Sequence, residues 1–350
     1  MFADLAAGLD QRRWEGHAVI PSSGWVGETL KARGIEPIVI PAKGSYSISY
    51  LRRIMELVRD LRIELIHSHL FGPALYGSLA GRLCGVPVIS TLHGEPDLPG
   101  PGQQPTLRYR VLRSGVDSVV LVSRALQDAF HACGSFPRER STVIHNGIDL
   151  DVFRPAEDRW GGDGKGASDD GIIVGAVGNL RPAKGFDLFV QAAGSLASRD
   201  ARLRFVIAGT PDQMVCRQLQ SLRDELGLRD RLSFLGFRAD IAEVFRSLDV
   251  FVCSSRSEGF SLTTVQALAC GVPAVATRCG GPEEIITDGV DGLLVDSEDP
   301  EKIASAVQRL IEEPQLRRSL KTAGRHRAAE AFSVDAMIAA YEALYDEVLN

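Results

Sequence analysis

From residue 38 onward, short aliphatic and β-branched runs alternate with longer stretches whose apolar residues recur at helical spacing. The runs cover residues 37–40, 65–68, 86–91, 118–122 and 142–144, and residues 48–61 and 74–83 between them carry the helical pattern. Strands alternating with helices predict parallel sheets covered on both faces. The series stops at residues 160–171, a Gly-, Asp- and Ser-rich stretch with almost nothing to bury, which predicts a flexible surface linker. A second series starts at residues 172–177 and continues through 203–208, 232–235, 249–252 and 274–276.

The expected architecture is therefore α/β, with two doubly wound, Rossmann-like domains facing a ligand cleft outside the carboxyl ends of their strands. The first domain is placed at residues 1–158, the linker at 159–171 and the second domain at 172–332. Residues 333–350 form a closing helix in which Met337, Ile338, Tyr341, Leu344, Tyr345 and Val348 share one stripe. Periodicity alone admits both a helix packed on its own domain and one that crosses back to the first. The opening is unusual: residues 1–9 already read as a helix, and residues 16–20 as the strand after it.

At 350 residues the chain exceeds what one core usually covers, which agrees with two domains. A net charge of -6 argues against a nucleic-acid partner. Cys84, Cys133, Cys216, Cys253, Cys270 and Cys279 show neither CxxC nor zinc-finger spacing, so they read as small core residues of a reducing compartment. No run is long enough to span a bilayer and no secretory signal opens the chain. A cytoplasmic location is expected. Arg52, Arg53, Arg59 and Arg62 give the helix near 48–61 a basic side, which reads as a solvated face or as peripheral contact with the inner face of a membrane.

The chemistry concentrates in Glu258-Gly259-Phe260-Ser261 and the residues that follow. An acid sits in a loop, Ser261 stands where a helix N-cap is expected, a short apolar helix ends at Gly-Val-Pro, and a β-branched strand leads to Gly280-Gly281. A helix N-terminus attracts anions through its unpaired N–H groups and dipole, and a nucleotide phosphate is the obvious one. Glu258 repels phosphate, so its natural role is to accept hydrogen bonds from sugar hydroxyls. The plain alternative is a βαβ crossover whose glycines only make turns.

This segment closely resembles the donor-site signature of the family 4 glycosyltransferases, the retaining group with the two-domain GT-B fold. Their pattern reads Glu-Gly-Phe-Gly, a second Glu eight positions after the first, then Ala-x-Ala-x-Gly-x-Pro-Val-Val-Ala-Thr and Gly-Gly-x-x-Glu. Glu258 matches the first acid, Gly280 and Gly281 the glycine pair and Glu284 the terminal acid, while the second acid is replaced by Gln266. The segment Gly178–Gly185 likewise resembles the family's loop Gly-Arg-Leu-x-x-x-Lys-Gly, whose cations hold the donor diphosphate. Lys184 aligns directly; Asn179 stands where the usual Arg would be, and Arg181 lies two positions on.

The resemblance implies a glycosyltransferase that takes a nucleotide-diphosphate sugar as substrate, with no cofactor and no metal, and passes the sugar to a glycan or lipid-linked acceptor. Arg181, Lys184 and the helix terminus would meet the charge of the leaving diphosphate, and Gly259, Phe260, Ser261, Gly281 and Glu284 would line the donor site. Glu258 and His93 would orient the sugar, and Gln266 would hold the ribose with one neutral acceptor in place of a carboxylate. A front-side displacement, in which the leaving phosphate helps take the acceptor proton, needs no side-chain nucleophile. Asp149 and Asp151 match the segment that enters the linker, so they are not read as a metal site. Relatives precede the first helix with a strand and a glycine-rich loop, so the pattern predicts such a segment upstream of Met1, with a tolerated deletion as the alternative. Gln266 also leaves open a non-catalytic nucleotide-sugar binder. A sugar-nucleotide epimerase would need an acid/base pair that the sequence does not show.

Overall fold

The structure, a computed structural model, describes residues 1–41, 47–94, 97, 107–133, 136–156 and 171–350. The chain divides into two compact units, Met1–Gly147 with Val334–Asn350, and Ile148–Ser333. The closing helix Val334–Leu349 belongs to the first unit. The expected end of the first domain at 158 is corrected to Gly147: the Ile148 N–H donates to the Phe332 carbonyl oxygen at 2.9 Å, and Phe153 packs edge-on against Phe245. Most of the expected linker, residues 159–170, lies outside the described residues.

In the first unit, β1 (Val19–Ile20) pairs in parallel with β2 (Ile38–Val39) as a separate two-stranded sheet. The strands β3 (Ile66–His69), β4 (Val88–Leu92), β5 (Ser118–Leu121) and β6 (Ser141–Val143) form a four-stranded parallel sheet in sequence order. β4 and β5 are buried along their whole length, so their side chains are small or aliphatic on both faces. The stripe of the closing helix, with Met337, Ile338, Tyr341, Leu344 and Tyr345, packs on Leu5, Ile89, Val120 and Ile144. On the helix Ile48–Asp60, Arg52 and Arg53 both reach Glu56, at 3.1 and 3.3 Å, which partly neutralises the basic side.

The second unit holds six parallel strands: β7 (Ile172–Val177), β8 (Leu203–Ala208), β9 (Leu232–Gly236), β10 (Val250–Cys253), β11 (Ala274–Arg278) and β12 (Leu293–Asp296). Their order across the sheet is β12-β11-β10-β7-β8-β9. The chain thus builds outward from β7 in one direction, returns, and builds outward in the other. β12 escaped the sequence pattern because Leu-Leu-Val-Asp is too short to show a period. The return makes β7 and β10 neighbours, with Val250 opposite Val174 and Phe251 opposite Gly175. Loops after adjacent parallel strands emerge at the same edge, and this adjacency positions the site. Among the described residues no helix is long and apolar enough to cross a membrane.

Candidate functional site

After β7 the chain makes a single 3-10 turn, Pro182–Lys184, and enters the helix Phe186–Arg199 through Gly185. Gly185 has φ +58°, and a Cβ there would lie 2.0 Å from the carbonyl oxygen of Ser254, in the loop after β10. Glycine is what lets the two loops touch. They are also stitched by hydrogen bonds: the Arg256 N–H donates to the Ala183 carbonyl oxygen at 2.8 Å, and the Ser254 hydroxyl to that of Lys184 at 3.2 Å.

The contact brings Lys184 Nζ to 2.6 Å from Glu258 Oε1. The Glu258 side chain is 7% exposed and that of Lys184 27%. The Ser255 hydroxyl donates to the same carboxylate oxygen at 2.7 Å. The Glu258 main chain is held by the loop after β11, its N–H donating to the Cys279 carbonyl oxygen and its own carbonyl accepting from the Gly281 N–H at 2.9 Å. A Cβ on Gly281 would lie 2.7 Å from Phe260 Cα, so this approach also requires glycine.

Arg256 ties three loops together. Its guanidinium grips both carboxylate oxygens of Asp187 at 2.7 Å, reaches Glu298 at 2.7 Å and donates to the Pro182 carbonyl oxygen at 3.1 Å. The hydrogen bonds from Arg256 hold the Asp187 carboxyl below the usual range, and those to Asp187 raise the guanidinium pKa further. The sequence motif did not mark Ser255 or Arg256; their only signal was their place two or three residues before Glu258.

Other expected residues fall in varied surroundings. Ser261 stands at the N-cap position of the helix Leu262–Ala269 but does not cap it. Its buried hydroxyl turns instead to Thr264 Oγ1 at 2.9 Å and to Cys253 Sγ at 3.4 Å. The Phe260 ring is 7% exposed and packs edge-on against Phe332, so it belongs to the core. Gln266 is half-buried on the same helix, and its amide makes no hydrogen bond among the described residues. Glu284 is half-buried, with its carbonyl oxygen accepting from Arg327 at 3.0 Å. Neighbouring Glu283 accepts from the Cys279 and Gly280 N–H groups and so shapes the glycine turn. Asn179 and Arg181 are exposed; Arg181 lines a cavity of about 280 Å³ with Phe186, Leu219 and Arg256. Asp149 accepts from the Asp151 and Val152 N–H groups, a local turn.

His93 lies in the first unit, in a half-buried histidine cluster on β3 and at the end of β4. Its Nε2 is 3.2 Å from His69 Nδ1, with the rings stacked at 21°, and its main-chain N–H donates to Asp97 Oδ2 at 2.8 Å. His67 is held between the Tyr345 hydroxyl at 2.7 Å and Thr91 Oγ1 at 2.8 Å. Burial pushes these imidazoles toward the neutral form: His67 down to about 3 and His69 well below its usual value, each with the help of the neighbouring histidines, and His93 to about 4 against the raising effect of Asp97.

Two parallel-sheet α/β units with an acid–lysine pair at the edge of the second define a GT-B glycosyltransferase. The family model for Glycosyltransferase Family 4 matches residues 1–152, and that for Glycosyl transferases group 1 matches residues 163–327. The chain belongs to the family 4 glycosyltransferases. It is similar to the D-inositol 3-phosphate glycosyltransferase of Geodermatophilus obscurus, 34% identical over 310 residues, which are 81% of this chain and 67% of that one. The enzyme of the same name from Mycobacterium tuberculosis is 32% identical over 79% of this chain, and the match spans 61% of its length. Among solved structures, HepE of Anabaena in complex with UDP-glucose has a TM-score of 0.85 at 22% identity, covering 99% of this chain and 94% of that one. A glycosyltransferase of Rickettsia africae has a TM-score of 0.84 at 19% identity, covering 99% and 93%. These two likenesses concern the fold.

Gly185→Ala should destabilise the second unit by about 1–3 kcal/mol, because it adds a left-handed non-glycine residue and a backbone overlap. Urea denaturation measures this, and an unchanged midpoint would refute the loop contact. The histidines give a second expectation. Their folded pKa values lie below the unfolded value near 6.5, so their contribution is complete above pH 6.5 and is lost as pH falls toward about 4. Each resisting histidine costs on the order of 1.4 kcal/mol per pH unit in that window. Melting temperature should drop between pH 6.5 and 5, and His67→Asn should flatten that slope; identical slopes would show the cluster to be solvated.

Proposed function

We propose that this chain is a retaining, metal-independent glycosyltransferase that moves a sugar from a nucleotide-diphosphate donor. The single observation that carries the reading is the Lys184–Glu258 pair, which joins the cation of one family motif to the acid of the other. Without donor the two charges satisfy each other. An arriving diphosphate offers Lys184 a stronger anionic partner, and Glu258 then turns its acceptor oxygens to the hydroxyls of the transferred sugar. Ser255 keeps the carboxylate aimed while Lys184 is shared.

As the bond to the sugar breaks, negative charge grows on the diphosphate. Lys184, Arg181 and the N–H groups at the start of the helix Leu262–Ala269 meet it, in place of a divalent ion. Glu284 and main-chain groups near Gly259, Phe260 and Gly281 line this end, while Gln266 holds the ribose. His93, kept neutral by its surroundings in the first unit, can donate or accept a hydrogen bond to a polyhydroxylated molecule without adding charge. UDP-glucose in the HepE complex supports a uridine donor. The relatives named for D-inositol 3-phosphate favour a small phosphorylated polyol as acceptor, beside the glycan or lipid-linked acceptors expected from the motif. The location proposed is the cytoplasm, with the Arg59 end of the basic helix as the membrane-facing side.

The test is a transfer assay with UDP-, GDP-, ADP- and dTDP-sugars, read by nucleotide release with and without acceptor. Glu258→Gln should lower kcat on the order of 100-fold, as removal of one charge-stabilising contact does elsewhere, while UDP still binds. The parent should retain its rate in EDTA. An active Glu258→Gln enzyme or a strict magnesium requirement would reject the mechanism, and UDP binding without turnover would reject the transferase in favour of a binder.

Gln266→Glu should tighten donor binding about fivefold, since a charge-assisted bond to ribose exceeds a neutral one by about 1 kcal/mol. Calorimetry with UDP reads this directly. Weaker binding would remove position 266 from the ribose site.

A further inference from the structure

The helix Phe71–Cys84, which follows β3, is built inside out. Its buried residues include Ala74, Gly77, Ala80 and Gly81, while the larger Leu79 and Leu83 lie outside, Leu83 59% exposed. The small residues have a local cause. A Cβ on Gly77 would overlap Ser68 and one on Gly81 would overlap Val88, so the helix lies close against β3 and β4. Nothing in that contact calls for leucine on the outer side. Arg82 completes the outer turn, and the helix contains no acid.

Two neighbouring helices of the same unit extend this face. The helix Leu107–Gly115 packs on one side, where a Cβ on Gly115 would overlap the Ser78 carbonyl oxygen and Arg82 Nη1 reaches the Ser114 carbonyl oxygen at 3.5 Å. It too contains no acid, and Leu107, Arg110 and Arg113 are exposed. Asp117, just past it, accepts from the Val88 N–H at 2.8 Å. The helix Ile48–Asp60 packs on the other side, with the Tyr50 ring edge-on to Tyr76 at 4.8 Å. At its end Arg59, Leu61 and Arg62 are exposed beside Asp60 and Glu64. Each helix runs into the strand after it, β3, β4 or β5, so the three C-terminal ends reach the edge where those strands begin. Arg52 and Arg53 are taken up by Glu56, but among the described residues Arg59, Arg62, Arg110 and Arg113 form no ion pair.

The face is thus apolar and cationic together, in a chain whose net charge is -6. Water favours neither exposed leucine nor crowded guanidiniums. A leaflet of anionic lipid favours both, because its phosphates meet the cations while its acyl boundary takes the leucines. Arginine suits this place, since its stem can lie along apolar surface while its fork pairs with phosphate oxygens. A nucleic acid would use the cations and leave the leucines in water. We propose that the outer face of the helices Phe71–Cys84 and Leu107–Gly115, with the Arg59 end of the helix Ile48–Asp60 at its rim, is a docking surface for an anionic lipid bilayer. Leu79, Leu83 and Leu107 enter the headgroup boundary, and Arg82, Arg110 and Arg113 hold lipid phosphates. This deepens the membrane-facing side proposed above and does not depend on the transfer chemistry.

Cosedimentation of the full chain with vesicles, either pure phosphatidylcholine or phosphatidylcholine mixed with phosphatidylglycerol, tests this. Binding should require the anionic lipid and weaken at least tenfold in high salt. Arg110→Gln combined with Arg113→Gln should weaken it at least tenfold, and Leu83→Gln, which leaves the charge unchanged, at least threefold. These positions are exposed, so melting temperatures should match the parent; if one variant melts lower, the other decides. Vesicle binding is read without donor, and calorimetry with UDP should give the same isotherm for parent and variants, so the docking surface and the transfer reading stand or fall separately. No binding to the mixed vesicles, equal binding to pure phosphatidylcholine, or binding indifferent to the arginine pair would overturn the proposal. A face that binds a DNA duplex, and binds vesicles equally with leucine or glutamine at position 83, would be a nucleic-acid surface and would also overturn it.

Discussion

The constraint on which the second unit depends is the adjacency of β7 and β10. These strands are far apart in sequence and neighbours only because the chain returns to the middle of its sheet. Adjacent parallel strands deliver their following loops to one edge, so a lysine and a glutamate 74 positions apart become an ion pair at 2.6 Å. Such a pair contributes little net stability, because desolvating both groups offsets most of their attraction. Removing one partner is another matter, since the remaining half-buried charge costs about 1–3 kcal/mol. The pair keeps two opposite charges together in a largely buried place.

The surroundings of the pair hold its loops together. Gly185 and Gly281 remove the side chains that would hold the loops apart, and Arg256 binds the loops by Asp187, Glu298 and a main-chain oxygen. The thiols of buried Cys253 and half-buried Cys279 nearby are pushed up by desolvation and stay protonated, so they bring no competing charge. The carboxylate therefore faces one cation and one hydroxyl.

The first unit solves a similar problem with neutral groups. At the ends of β3 and β4, three imidazoles, two phenols and a threonine hydroxyl satisfy one another, and burial keeps the imidazoles uncharged. A neutral hydrogen-bonding surface suits polyhydroxylated molecules, whose groups both donate and accept. A charged surface suits a diphosphate. The first unit carries a neutral cluster and the second a charged pair.

By itself the sequence determined the strand–helix alternation, the two series and the motif residues Lys184, Glu258, Gly280 and Gly281, because periodicity and glycine-rich loops are local properties. It also marked the stripe of the closing helix. What it left undecided depends on contacts between distant segments. The boundary at Gly147 follows from Ile148 bonding to Phe332, which no window of sequence contains. Ser261 occupies the capping position, yet its hydroxyl turns to Cys253 and Thr264 because those groups are buried beside it. Phe260 reads as a site aromatic but packs on Phe332, and Arg256 reads as an ordinary loop residue but joins three loops. Local pattern chooses the elements; only the order of strands in the sheet decides which loops meet, and hence which side chains can act together.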